Sequence, residues 1–407
     1  MKDGWKKAKL SNYANVSSSK RIYAKEYAED GIPFYRGKEI VEGVSNNHSN
    51  KLFISQEKFD KIRDTYGIPQ KGDILLTSVG TLGIPYYVLG DHDFYFKDGN
   101  LTWFRDFNGL DSKWFYYWIQ SHDGRGELKK CEIGSSQKAY TIKKLSEMEF
   151  PNLDNSYQSE VATVVSNYDD LIKNNEKRIK ILEEMAQRLY TQWFVNFKFP
   201  DHEKVMMVDS GSECGMVPEG WEVKDMGSIS KEIRNQIDPN EISGDTPYVG
   251  LEHIPRMTII LHDWGTANEI SSSKLSFNIG DILFGKIRPY FHKVVYAPIC
   301  GIASSDTIIL HPENPIYRNL VLFNASSKNF VDYATMTSQG AKMPRADWKV
   351  LKAYKVIVPP EKLLNSFNNI IDNKISLMNL LVKRKRNLTK TRDLLIENLV
   401  TGKRLLK

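Results

Sequence analysis

Two acidic–histidine triplets, Asp91-His92-Asp93 and Asp201-His202-Glu203, are where this sequence looks most reactive. A histidine beside a carboxylate is how a general base is held in one tautomer. Both triplets lie in polar, loop-like stretches with no aligned nucleophile nearby, and loop composition explains them more simply. The eight histidines include no HxxxH pair, and three scattered cysteines without a CxxC offer no zinc tetrad. There is no GxGxxG opening a helix after a strand and no GxxxxGK[ST] phosphate loop. Asn-Pro-Pro-aromatic, with which an adenine methyltransferase holds a flipped base, is also missing. The chain is expected to be no enzyme by itself, with no catalytic residue, metal site or cofactor of its own.

Side chains suited to binding rather than catalysis are easier to find. Gly72-Asp73-Ile74-Leu75 returns as Gly280-Asp281-Ile282-Leu283, in each case a tight turn leading into a buried strand. The residues after these turns differ. Leu76 to Gly83 offers the hydroxyls of Ser78 and Thr81, whereas Phe284 to Lys293 offers Lys286, Arg288, Tyr290 and Lys293. One scaffold carrying different hydrogen-bonding groups is what two readers of two base sequences need. Cations mixed with an aromatic suit phosphate and base edges, although such a loop is also an ordinary solvated surface. A second matched pair runs from Gly134 to Tyr140, with Gln137, Lys138 and Tyr140, and from Ser338 to Arg345, with Gln339, Lys342 and Arg345. Gln can bond adenine bidentately, and Lys or Arg can reach guanine or phosphate. Connecting loops are also rich in Gly, Ser and Gln, so both readings stand.

The elements that must position these loops form a repeat. Ile32-Pro33-Phe34-Tyr35-Arg36-Gly37-Lys38-Glu39-Ile40 returns as Thr246-Pro247-Tyr248-Val249-Gly250-Leu251-Glu252-His253-Ile254, and Phe150-Pro151 as Val358-Pro359. Trp5 near the N-terminus matches Trp221 in Val217-Pro218-Glu219-Gly220-Trp221-Glu222. One unit is roughly 200 residues, far above the ~20–50 of a solenoid repeat. Each copy reads as short β-rich runs broken by turn signals, then a long helix. The run Trp114 to Ile119 suits a buried helix or strand equally.

After Pro151 the period changes. Val161, Val165, Tyr168, Ile172, Asn175, Ile179, Leu182, Ala186, Leu189 and Trp193 form a heptad seam free of Gly and Pro, and Phe194 follows in an apolar run. The second seam is Phe367, Ile371, Lys374, Met378, Leu381, Lys385, Leu388, Arg392, Leu395 and Leu399. Its three basic residues make it the weaker coiled-coil signal. Each helix of roughly 38 residues would be about 57 Å long. Neither can bury its stripe on a small domain alone, so the two are expected to pack antiparallel, related by a pseudo-two-fold. Asn175 either fixes register within that packing or lies beyond it in water.

Composition is permissive. At 407 residues, 41% hydrophobic and 26% charged, the chain has room for two to three domains. No transmembrane run or signal-peptide core appears, and odd, scattered cysteines suit a reducing cytoplasm. A net charge of +6 allows nucleic acid without requiring it.

Taken in order, Val217 to Glu222, Gly280 to Phe284, Leu182 to Tyr190 with Trp193 to Phe197, and Leu394 to Lys403 resemble the specificity subunits of type I restriction–modification systems. The resemblance spans essentially the whole chain, duplication included. It implies an α+β fold with two similar mixed α/β target recognition domains, separated by two long antiparallel helices forming a coiled coil. On that basis the chain divides into recognition domain 1 (1–152), spacer helix 1 (153–197), a linker (198–216), recognition domain 2 (217–360) and spacer helix 2 (361–407). Each domain would read half of an asymmetric, bipartite site on double-stranded DNA. Two modification (methyltransferase) subunits would dock on the helices, and ATP-dependent restriction subunits would join to translocate and cleave. S-adenosylmethionine, ATP and Mg are then expected on those partners. The first copy lacks the full Pro-Glu-Gly-Trp entry and the Lys-Ile-Arg-Pro-Tyr loop. A self-sufficient DNA methyltransferase and a protein-only coiled-coil scaffold are the competing classes. Helix-packing positions singled out are Ile172, Asn175, Ile179, Leu182, Leu189, Trp193 and Phe194 on the first helix, and Met378, Leu381, Leu388 and Leu395 on the second.

Overall fold

The computed structural model describes residues 6–42, 52–135, 137–270, 272–340 and 342–406. Trp5, Ser136 and Ala341 lie outside the described residues. The chain forms two compact units, one of residues 1–172 with 387–407 and one of residues 173–386. Both boundaries fall inside a long helix, so each unit contains a piece of both helices.

In the first unit the strand Ile74–Thr77 lies between Leu101–Arg105 and Pro85–Tyr87, and Asn15–Ser17 adds outside Leu101–Arg105. All pairs are antiparallel. In the second unit Ile282–Gly285 lies between Thr307–Pro312 and Val294–Tyr296, with Ser230–Ile233 outside. The order is the same. A smaller sheet is also repeated. Ile32–Tyr35 runs parallel to Tyr95–Phe96, as Pro247–Val249 runs parallel to Gly301–Ala303.

The two Gly-Asp turns match bond for bond. Asp73 accepts the Gln70 N–H at 2.8 Å and the Trp103 indole N–H at 2.8 Å. Asp281 accepts the Asn278 N–H at 2.7 Å, and its other oxygen lies 2.6 Å from His311 Nδ1. A buried carboxylate needs such donors to offset its lost hydration. Burial nevertheless raises the Asp73 pKa above the ordinary carboxylate value. After Gly-Asp the four strand residues Ile74–Thr77 are all buried, because the sheet is covered on both faces.

Trp114 to Ile119 is helical. The helix Ser112–Gln120 is capped by Asp111, whose carboxylate accepts the Trp114 N–H, and it buries Trp114, Phe115, Tyr117, Trp118 and Ile119. Its equivalent in the second unit, Arg318–Ala325, is buried along its length from Asn319. The linker read at 198–216 is structured in part: Met207–Asp209 pairs antiparallel with Met216–Pro218.

The long helices are Asn155–Tyr190 and Glu361–Leu395, of 36 and 35 residues. Each continues into a five-residue π-helical turn, Thr191–Val195 and Ile396–Val400. Such a turn inserts a residue into the α-helical spacing and rotates the residues beyond it about the helix axis. In the first unit the start of the first helix meets the end of the second: Val161 and Val165 share a core with Ile396, Leu399 and Val400. The Tyr157 hydroxyl donates to the Leu399 carbonyl at 3.0 Å. In the second unit Ile179, Ala186, Tyr190, Trp193 and Phe194 share a core with Phe367, Ile371, Met378 and Leu381. Leu182 and Leu189 pack on its edge, and Leu395 does so in the first unit. Ile172 is buried, and Leu388 is half-buried. The pairing is therefore antiparallel. Asn175 is only 3% exposed, and its Nδ2 has no hydrogen-bond partner, so it sits in the packing rather than in water.

Two seam cations have acidic partners on the other helix. Arg392 bonds Asp169 at 2.9 Å, and Lys385 lies 3.4 Å from Glu176. The steps from 169 to 176 and from 392 to 385 are each one heptad.

Candidate nucleic-acid interface

The matched loops that are far apart in sequence are hydrogen-bonded to each other, in the same way twice. In the first unit Tyr140 N donates to Ser78 O at 3.0 Å, and Val79 forms an antiparallel bridge with Ala139. In the second, Ala346 N donates to Lys286 O at 2.9 Å, and Ile287 forms an antiparallel bridge with Arg345. Arg288 N adds a bond to Pro344 O at 2.8 Å. Each site is therefore a pair of crossed loops at the exit of the Gly-Asp strand. Backbone bonding fixes where the side chains start, which leaves their chemistry free to vary.

In the first unit Thr81, Gln137 and Lys138 are exposed. Lys138 pairs with Glu132 at 2.6 Å across the hairpin of Glu132–Ile133 with Ala139–Tyr140. Tyr140, in the second strand of this hairpin, is half-buried, and burial pushes its hydroxyl pKa up to about 12. Ser78 corrects the sequence reading. Its side chain is 2% exposed and its hydroxyl is engaged with Leu76 O and Thr102 Oγ1, so it closes the strand end and faces no ligand. A cleft of about 420 Å³ opens beside Thr81, lined also by Arg36, Lys38, Val79 and Asn100. Arg36 reads only as part of the repeated run from Ile32 to Ile40, and Asn100 not as a site residue, so their position beside Thr81 was not legible.

In the second unit Gln339, Lys342 and Arg345 are exposed, and Tyr290 is 51% exposed. Arg345 lies 3.9 Å from Asp306, a distance that leaves the guanidinium loosely held. Two of the expected cations are committed elsewhere. Lys286 donates to Ser305 O, and Lys293 donates to Leu251 O. Burial and the neighbouring Arg256 lower the Lys293 pKa from the usual lysine value. Lys293 therefore supports the loop backbone more than it offers charge to a ligand.

Arg288 is set differently. Its φ of 49° lies in the left-handed region, which costs an L-residue roughly 1–2 kcal/mol. With Gly72-Asp73 laid on Gly280-Asp281, the first-unit counterpart of Arg288 is Gly80, which has φ 81°. A Cβ at Gly80 would meet nothing within 4 Å, so backbone conformation alone accounts for glycine there. The second copy keeps that conformation and places an arginine on it.

Comparison with known proteins agrees with this architecture. Residues 2–184 match the type I restriction modification DNA specificity domain. The MjaIX specificity subunit of Methanocaldococcus jannaschii, a type I restriction enzyme subunit, is 25% identical over 98% of this chain and 93% of its own. The chain is similar to a type I restriction enzyme specificity subunit along nearly its whole length. Another specificity-family relative, the EcoDI subunit of Escherichia coli, is 24% identical over 60% of this chain and 59% of its own. The S subunit of a type I restriction–modification system from M. genitalium has the same fold, with TM-score 0.59 and 16% identity over 97% of this chain and 96% of that one.

Among the described residues, no group of His, Cys, Asp or Glu is arranged to hold a metal ion. Asp91 and His92 do meet, at 2.9 Å, but His92 Nε2 is taken by the Tyr35 hydroxyl at 2.7 Å. His202 is likewise turned to the Phe199 carbonyl. Neither triplet presents a free base. No helix among the described residues is long and apolar enough to cross a membrane.

Proposed function

We propose that this chain is the non-catalytic, DNA-binding specificity subunit of a type I restriction–modification complex. Each recognition domain reads one half of a bipartite, asymmetric site, and the helices set the separation and dock two modification subunits. The repeated crossing of two loops on one scaffold, with different side chains in each copy, is what supports this reading. Side chains from such loops enter a major groove, where each base pair has a distinct donor and acceptor pattern. Half-sites read from one face of B-DNA lie about one turn apart, roughly 10 bp between centres. S-adenosylmethionine binds the modification partners, and ATP and Mg bind the restriction partners, in the cytoplasm.

The test is Arg288→Ala in the assembled complex. Binding should weaken, or base preference relax by ~1–3 kcal/mol, at only the half-site read by residues 217–360. Loss confined to the other half-site contradicts the domain assignment. Methyl transfer by the isolated chain would revive the self-sufficient enzyme instead.

A further inference from the structure

Phe291 carries two guanidinium groups. Arg256 stacks on its ring with the guanidinium carbon 3.9 Å from the centroid, and Arg288 approaches the same ring at 5.9 Å. Several other arginines of this unit have acidic partners, among them Arg318 with Asp372 at 2.7 Å and Arg386 with Asp263 at 3.4 Å. Among the described residues no ion pair joins Arg256 or Arg288 to an acidic side chain. Arg288 Nε is moreover buried without a hydrogen-bond partner. Two cations sharing one ring without a counter-ion repel each other in the free protein, and a ligand rich in acceptors relieves that repulsion.

The backbone around the ring is closely constrained. Met257, Arg288 and His292 all have left-handed backbones, with φ of 59°, 49° and 53°. Met257 N donates to His292 O at 2.9 Å, which ties the Arg256 segment to the Phe291 loop. The His292 ring is anchored on the Ser326 carbonyl at 2.7 Å. Arg256 and Met257 are exposed, Met257 by 73%. The cluster therefore faces outward, and the Arg288 N–H bond to Pro344 O ties it to the loop that carries Arg345.

We propose that Arg256 and Arg288 form a guanine-reading pair, with Phe291 orienting their guanidinium planes toward the O6 and N7 edge of the base. This rests on the reading of residues 217–360 as a DNA recognition domain. Guanine is favoured over phosphate because of the ring stacking and the backbone geometry. A phosphate accepts a flexible point charge from many directions, whereas a bidentate base contact needs a planar fork held at one angle. Stacking on Phe291 and the strained backbone supply that angle. An exposed ammonium group that would suit phosphate is present in Lys342 and needs no such support.

The experiment selects binding sites from a randomised duplex library with the full chain assembled with its modification partners. Wild type, Arg256→Ala and Arg256→Lys are compared, and thermal melting establishes that each variant folds. Wild type should fix a guanine in one half-site. Arg256→Ala should lose roughly tenfold of the preference for that guanine and leave the other half-site intact. Arg256→Lys should keep the salt dependence of wild-type binding yet lose the same preference. Equal weakening on every sequence, with a shallower salt slope, would mean a phosphate contact and overturn the proposal. So would an Arg256→Ala variant indistinguishable from wild type. A wild-type complex with no sequence preference at all would instead remove the recognition-domain reading beneath it.

Discussion

Arg392 on the second long helix donates from Nη1 to Asp169 on the first at 2.9 Å, and Tyr117 donates its hydroxyl to the same residue at 2.7 Å. Asp169 therefore joins three elements of the first unit: both helices and the buried helix Ser112–Gln120. In sequence Arg392 counts as a flaw in an apolar seam. In the fold it supplies the counter-charge for a carboxylate at the edge of the core. Burial disfavours the Arg392 cation, yet its hydrogen bonds to Asp393 and Asp169 leave its pKa above the ordinary arginine value.

Replacing Arg392 with Met should destabilise the chain by ~1–2 kcal/mol, because Asp169 is left partly buried with only Tyr117 as donor. Denaturant unfolding measures this, and the double variant with Asp169→Asn should recover part of the loss. A single Arg392→Met variant as stable as wild type would show that the pair is a surface ornament.

His262 gives a pH prediction. Burial, with Lys385 nearby, lowers its pKa to about 4, and its Nδ1 has no partner. The unfolded chain holds that proton near pH 6.5, so the folded state binds fewer protons between the two values. Its contribution is present above pH 6.5 and is lost as pH falls toward 4. The loss is as much as ~3 kcal/mol for a single site. His262→Phe should flatten the fall in denaturation midpoint across pH 6.5 to 4, and an unchanged slope would assign that fall to other groups.

A third prediction concerns spacing. Four residues inserted after Asn175 and four after Lys385 lengthen both helices by ~6 Å. Methylation mapping of the assembled complex should then find both half-sites unchanged and the spacer longer by about two base pairs. An unaltered spacer would mean that the helices do not set it.

How much of this was legible depended on the range of the signal. The heptad seam from Val161 to Trp193 was readable because helical burial repeats every three or four residues, and none of its ten positions is exposed. The Gly-Asp turns were readable for a similar reason, since their bonds span only three residues. Trp114 to Ile119 was ambiguous because a short apolar run satisfies either period, and the Asp111 cap together with burial decided for helix. Ser78 is misread from sequence because a hydroxyl at a strand end looks alike whether it meets Thr102 or solvent.

The sequence by itself determined the duplication, the long helices and the segments that carry variable polar side chains, since these arise from order and periodicity along the chain. Only the tertiary structure decided that Val79 meets Ala139, that Ile287 meets Arg345, and that Arg256 shares a ring with Arg288. Those meetings join residues dozens of positions apart through single bonds and stacked rings. No periodicity encodes them, because the packed sheet beneath sets which loops come together.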